Sequence, residues 1–244
     1  MPHRRWRTTA GHWVKIGAGV LALLFGLITP VAAGLYEDAA AAYTRGDYET
    51  ALRILQPLAE QGDANAQFNL ALMYNKGDGV LRDNAEAVKW YRKAADQGYA
   101  AAQFNLALMY EKSPGIPRDY AEANRLYRAA ADEGLADAQN NLCGMYLDGR
   151  GVSQDDAEAA KLCRKAADQG LAIAQYNLGL MYENGEGVPQ DYVAAYMWLN
   201  LAASRSPTGD TQARDRRDLI TAKMTAAQIA EAQRLTWEWK LKPK

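Results

Sequence analysis

The sequence predicts an all-α fold, a solenoid of stacked helix pairs. Three observations predict it: a 36-residue self-repeat, apolar residues spaced three and four apart within each repeat, and glycines where each helix should stop. The segment AQFNLALMY at residues 66–74 recurs unchanged at 102–110, then as AQNNLCGMY at 138–146 and AQYNLGLMY at 174–182. Residues 66–98 and 102–134 agree at 22 of 33 positions without a gap, a match that chance does not produce.

The chain opens on a different pattern. Arg4, Arg5, Arg7 and Lys15 lead into an apolar run at residues 16–28, followed by Pro30 and by small residues at Val31 and Ala33. That order predicts a secretory signal peptide over residues 1–33, cut after Ala33, and hence a periplasmic or secreted protein. The run is 13 residues long, against roughly 20 needed to span a bilayer. The alternative is an N-terminal anchor that is kept. No later segment is apolar enough to cross a membrane, so no stable span is expected after cleavage.

Residues 34–224 are expected to form the solenoid. A shortened unit over 35–62 turns at Arg45-Gly46-Asp47, and its Ala51, Leu55 and Ala59 align with the second helix of later units. Full units follow at 63–98, 99–134, 135–170 and 171–206. In the first of these, Ala66, Leu70, Met73 and Tyr74 share one helix face. Gly77-Asp78-Gly79 ends that helix, since glycine readily takes the left-handed conformation of a C-terminal cap. Asp83 with Glu86 predicts a capping box opening the second helix, repeated as Asp119/Glu122 and Asp155/Glu158. Asp191 keeps the cap, while Ala194 replaces the acid. Ala87, Tyr91 and Ala94 form the buried stripe, and Gly98, Gly134 and Gly170 end the second helices. The second full unit departs: Ser113-Pro114-Gly115-Ile116-Pro117 should keep the loop length and change its surface. A linker helix within 207–224 and a capping helix and tail over 225–244, with Ile229, Ala232, Leu235 and Trp239 as its stripe, should cover the open end of the core.

The pattern A-x-x-x-L-[GAC]-x-M-Y-x-x-G-x-G-V-x-x-D-x-x-x-A, followed by W-Y-x-K-A-A-x-x-G, resembles the Sel1-like repeat, a relative of the tetratricopeptide repeat. The resemblance covers about residues 36–206, and the tail around Met224-Thr225 and residues 228–232 is similar to ends seen on exported bacterial members. It implies a right-handed α/α superhelix with a concave face. It also implies adaptor work, in which protein complexes are assembled in envelope, secretion or signalling pathways.

Composition excludes several chemistries. Both histidines, His3 and His12, lie in the expected signal, so the exported chain would have none. That removes Ser-His and Cys-His nucleophiles and His-ligated zinc. The sequence has no G-x-S-x-G, no G-x-x-x-x-G-K-[ST] and no C-x-x-C. Beyond residue 33, 24 basic face 29 acidic side chains, a net charge of −5, which is no footprint for nucleic acid. Carboxylate pairs such as Asp155-Asp156 read as helix caps. No catalytic residue, cofactor or metal site is expected. Some cysteine-rich members of the resembled family act on β-lactams, but Ser113, Ser153, Ser204 and Ser206 here have no base beside them.

Candidate binding residues come from the first helices. With Ala66 at zero and about 100° per residue, Phe68 falls near 200° and Leu72 near 240°, away from the face of Met73, Leu70 and Tyr74. Phe104, Leu108, Tyr176 and Leu180 repeat this placement. Either these apolar side chains floor a concave groove, as exposed apolar patches often mark an interaction site, or they pack between neighbouring units. Asn69, Asn105, Asn141 and Asn177 form a row beside them. Amides can hold a peptide backbone without reading its side chains, or they can bond to one another and to helix backbone. Asn140 and Gly144 break the apolar pattern in the third full unit. The expected ligand is an envelope protein or peptide, with peptidoglycan or another envelope polysaccharide as the alternative.

Two cysteines remain. Cys143 stands where Ala71, Ala107 and Gly179 stand in other units, and Cys163 where Tyr91 and Tyr127 stand, so both thiols point into one unit. An oxidising compartment would let them pair. The alternative is two small buried thiols filling a gap. Cysteine-rich members link helices at positions that here are Ala131 and Ala138, so they give no precedent.

Overall fold

A computed structural model describes residues 30–205 and 211–241. Among them are twelve α-helices and no strand: α1 (Pro30–Thr44), α2 (Tyr48–Glu60), α3 (Ala64–Lys76), α4 (Asn84–Asp96), α5 (Ala100–Lys112), α6 (Tyr120–Asp132), α7 (Ala136–Asp148), α8 (Asp156–Asp168), α9 (Ala172–Asn184), α10 (Tyr192–Arg205), α11 (Thr211–Thr221) and α12 (Ala226–Leu241). The expected signal over 1–33 lies outside the described residues up to residue 29, and α1 runs through the expected cut after Ala33. The described residues divide into two compact units, 30–130 and 131–241.

The repeat sets the helix boundaries. Gly77, Gly149 and Gly185 each take the left-handed conformation and donate their N–H to the carbonyls of Met73, Met145 and Met181. Ser113 ends α5 in an extended conformation instead, yet the loop keeps its length, 113–119 against 77–83. The second helices open on aspartate: the N–H groups of Glu86, Glu122 and Glu158 each donate to the cap carboxylate, at 2.9 Å. The glutamate half of the expected capping box does not form. Each cap N–H is already taken by a first-helix carbonyl, Asp83 by Tyr74, Asp119 by Tyr110 and Asp155 by Tyr146. The glutamates bond instead to Lys89, Arg125 and Lys161, one turn on.

In the N-terminal unit α1 packs on α2, α2 on α3, α3 on α4 and α4 on α5. In the C-terminal unit α7 packs on α8, α8 on α9 and α9 on α10, and α10 then carries both α11 and α12. The first helix of a pair is thus covered from more than one side. Ten of the thirteen residues of α5 are buried, and ten of α7, and each set includes three polar side chains, Gln103, Asn105 and Glu111 on α5 and Gln139, Asn140 and Asn141 on α7. The loops interlock as well. Gly187 holds a positive φ, and a Cβ there would lie 1.8 Å from the Asp156 carbonyl oxygen, so only glycine lets this loop seat on the start of α8.

The last helices close the C-terminal core. Ile220 of α11 and Ala232 of α12 are fully buried against Ala195, Tyr196 and Leu199 of α10. Trp239 meets Trp198 edge to face, with ring centroids 6.1 Å apart. Glu183, one-twentieth exposed, accepts from Arg216 at 2.6 Å and pairs with Lys223 at 3.5 Å, tying the end of α9 to α11 and the turn after it.

Candidate functional site

Half of the six apolar residues expected to floor a groove are core. Phe68 and Leu108 are 3% exposed and Phe104 is wholly buried. The Phe68 ring lies 5.8 Å from that of Tyr91 on α4 and 5.1 Å from that of Tyr99 just ahead of α5. Phe104 meets Tyr127 at 5.7 Å in the same way. Each of these first helices buries more than the one face of its alanine, leucine and methionine. The sector near 200° faces the second helix of the same pair and, for Phe68, the start of the next.

The asparagine row does not form an open ladder either. Asn105, Asn140, Asn141 and Asn177 are buried. Asn177 donates to the Asn140 amide oxygen at 2.9 Å, and Asn140 approaches the Asn141 oxygen at 3.5 Å, so these amides serve one another. Asn105 is fully buried, and neither its amide nitrogen nor its oxygen has a partner. Asn69 alone is half-exposed, and it donates back to the carbonyl of Asn65, at 2.9 Å, and to its amide oxygen.

What remains accessible is narrower: Leu72 and Asn69 on α3, Tyr176 and Leu180 on α9, all half-buried. Each pair sits on one first helix, a turn apart, and presents an apolar side chain beside a polar edge.

The repeat carries a polar device that the apolar pattern did not reveal. Gln67, Gln103, Gln139 and Gln175 are buried, and each donates to an alanine carbonyl eight residues back: Ala59 at 3.1 Å, Ala95 at 3.3 Å, Ala131 at 3.1 Å and Ala167 at 3.1 Å. These carbonyls lie at second-helix ends, which leave acceptors unfilled. Gln97 and Gln169 in turn donate to Gln67 and Gln139, each at 2.8 Å, and to the carbonyls of Gly62 and Gly134. The signal was the glutamine recurring at one repeat position after each alanine.

The third full unit is rebuilt. Where other units pair Phe68 with Tyr91 and Phe104 with Tyr127, this one has Asn140 and Cys163. Cys163 forms a disulfide with Cys143, with Cα atoms 5.5 Å apart. Both cysteines are buried.

Among the described residues no group of three or more His, Cys, Asp or Glu side chains could hold a metal ion, and no helix is long and apolar enough to cross a membrane. Burial pushes the Tyr91 phenol well up. Burial and the hydrogen bond to Asp78 raise that of Tyr43, and burial with the charge of Asp63 raises that of Tyr99. All three phenols stay neutral, and the Tyr91 hydroxyl is buried without a hydrogen-bond partner.

Five segments match the Sel1 repeat, at residues 33–63, 64–99, 100–135, 136–171 and 172–207. A Sel1 repeat protein from Oxalobacter formigenes is 30% identical with a TM-score of 0.71, over 81% of this chain and 84% of its own. The antigen c5321 of uropathogenic Escherichia coli, which displays an SLR fold, is 27% identical with a TM-score of 0.53, and the alignment covers 88% of this chain and 58% of the antigen. Immunity protein Pa5087 of Pseudomonas aeruginosa shares the fold, at 23% identity and a TM-score of 0.50 over 88% of this chain and 82% of its own. No curated protein matches the chain by sequence. With its repeats matched over five consecutive segments and its helix pairs superimposing on those of the Oxalobacter protein, the chain belongs to the Sel1 repeat family, an all-α superhelix of helix pairs.

Proposed function

We propose that this protein is a non-enzymatic scaffold of the cell envelope, which binds a protein or peptide partner through the accessible residues of its first helices. Sel1 repeat proteins serve as protein-interaction scaffolds. The observation that carries the reading here is the pairing of half-exposed aliphatic and polar side chains on α3 and again on α9, Leu72 with Asn69 and Leu180 with Tyr176. Each strip sits on a helix otherwise locked by core packing, so it is presented rigidly, and a preformed surface loses little freedom on binding. The envelope location rests on the basic, apolar and small-residue order of residues 1–33.

The test is affinity capture from envelope extract of the native host. A protein retained in near-stoichiometric amount by the wild-type chain, and lost with Leu72→Glu together with Leu180→Glu, supports the proposal. Equal capture by the variant sends the binding surface elsewhere. Retention on purified peptidoglycan, with no protein bound, replaces a protein partner with a glycan. N-terminal sequencing of protein from the native host checks the location: an exported chain begins at Gly34, and an intact Met1 on a soluble protein contradicts it.

A further inference from the structure

A stack of helix pairs leaves its terminal helices with an outer face, and that face is ordinarily polar, because no further repeat covers it. The first helix follows the rule: along its described residues α1 exposes Glu37, Asp38, Ala41 and Thr44. The last helix does not. α12 packs on α10, with Ala232, Thr236 and Trp239 buried, yet Trp237 is 64% exposed and Leu241 60%.

The exposed residues fall into a stripe. With Ala226 at zero and about 100° per residue, Ala230 lies near 40°, Gln233 near 340°, Trp237 near 20° and Leu241 near 60°. All five are exposed, and they run the length of the helix within about 80° of arc. Trp239, Ala232 and Thr236 lie between about 220° and 280°, so the stripe is on the side away from the core. Size is graded along it, with alanines at the N-terminal end and Trp237 and Leu241 at the C-terminal end. The C-terminal tail cannot cover the stripe. Three residues follow Leu241, and fully extended they reach about 10 Å, less than half the roughly 24 Å length of a 16-residue helix. The charges beside the stripe are engaged within the helix, where Arg234 bonds both Glu231 and Glu238.

We propose that α12 pairs antiparallel with α12 of a second copy of this chain, through Ala226, Ala230, Gln233, Trp237 and Leu241, as a weak two-fold dimer. The graded stripe names the occupant, because it is complementary to itself reversed. A two-fold axis between Gln233 and Arg234 sets Trp237 of each copy over Ala230 of the other, and Leu241 over Ala226. Large side chains then fill the space beside small ones at both ends, and an isologous contact of this kind closes at two copies. A parallel pair would set Trp237 against Trp237 and leave the alanine end open. A lipid surface fits less well. An interfacial helix carries a Lys- and Arg-rich polar face, whereas the two acids of α12, Glu231 and Glu238, balance its two bases, Arg234 and Lys240. Area sets the strength. The stripe offers roughly 500 Å² per copy, about a third of it from Trp237, against about 800 Å² in a standard stable interface, so the dimer forms at micromolar rather than nanomolar concentration. The inference is independent of the scaffold reading, and a dimer would carry each first-helix strip twice.

The experiment is sedimentation equilibrium on protein purified from cells expressing the full chain, from about 2 to about 500 μM. The average mass should climb from one chain toward two and stop there. Trp237→Glu and, separately, Ala230→Glu should each weaken association at least about tenfold. Leu81→Ser, at an exposed leucine of the N-terminal unit, should leave it unchanged. All three positions are exposed, so the variants should melt like the wild type. Cysteine crosslinking reads the geometry. Cys143 and Cys163 are bonded to each other, so an introduced cysteine is the only free thiol. Under copper-phenanthroline oxidation Gln233→Cys, beside the axis, should link to itself. Ala226→Cys and Leu241→Cys should link to each other when mixed, and scarcely to themselves. A monomer throughout the range overturns the proposal, as does a dimer of unchanged strength in Trp237→Glu. Self-linking of Leu241→Cys without the mixed link marks a parallel pair and overturns it too. So does a monomer that sediments, through Trp237, with vesicles of one part phosphatidylglycerol to three of phosphatidylcholine, because the face would then belong to a lipid surface. Failure here leaves capture through Leu72 and Leu180 untouched, and loss of that capture leaves the dimer.

Discussion

Cys143 on α7 and Cys163 on α8 lie with Cα atoms 5.5 Å apart and are joined by a disulfide, with Cys163 at the repeat position where the full units ahead place a tyrosine ring against a first-helix phenylalanine. Tyr91 and Tyr127 fill that place with buried phenols. Here both the phenylalanine and the tyrosine are gone, replaced by Asn140 and Cys163, and a covalent link stands in for the ring contact. With a sequence separation of 20 between the cysteines, the closed loop should contribute about 3 kcal/mol. Cys143→Ser with Cys163→Ser should therefore lower stability by about 2–4 kcal/mol in urea unfolding, and alkylation without reduction should label neither cysteine of the protein from its native host. Two labelled thiols in the native protein would remove the bond.

Phe104 decides between core and groove. Wholly buried against Tyr127, it should cost about 3–5 kcal/mol when changed to alanine, as deletion of a buried aromatic does. A loss within about 1 kcal/mol, the usual size for a surface change, would return Phe104 to an accessible face.

Asn105 is the polar counterpart. A buried amide with no partner on either atom carries a desolvation cost, whereas removing it while keeping the volume is often neutral or stabilising. Asn105→Leu is expected to leave the melting temperature unchanged or raise it. A loss of more than about 1 kcal/mol would mean that the amide bonds to something essential, such as an internal water.

Glu122 supplies a pH test. Its hydrogen bonds from Arg125, with the charges of Arg125 and Arg92 beside it, hold its carboxyl below the ordinary glutamate range against a smaller opposing effect of burial. A carboxyl lowered in the folded state stabilises above its unfolded value, and that contribution is lost as pH falls through the lowered folded value. Glu122→Gln should thus cost up to about 1 kcal/mol near neutral pH, as partly exposed pairs do, and nothing in strongly acidic solution. A cost that persists undiminished at low pH would assign the effect to packing.

Most helices of the repeats were legible in the sequence because a local device, recurring every 36 residues, bounds them. The glycines after Lys76, Asp148 and Asn184 and the cap at Asp83 mark ends without reference to tertiary contacts. The candidate site was less legible. Periodicity along one helix separates faces but cannot count how many neighbours cover it, and α5 is enclosed on nearly every side. Phe104 and Leu72 look alike on a helical wheel, yet one is wholly buried and the other half-exposed. The capping box failed for a similar reason. Asp83 and Glu86 have the right spacing, but the Tyr74 carbonyl reaches the cap N–H first.

We propose that partner contact is made at the half-exposed first-helix residues and not at the buried aromatics. Photo-crosslinking in the native host tests it most directly, with a benzophenone amino acid placed in turn at Leu72, at Leu180 and, as an exposed control on α12, at Gln228. A protein adduct is expected from position 72 and from position 180, and none from 228. No protein adduct from 72 or 180, or an equal one from 228, would contradict it.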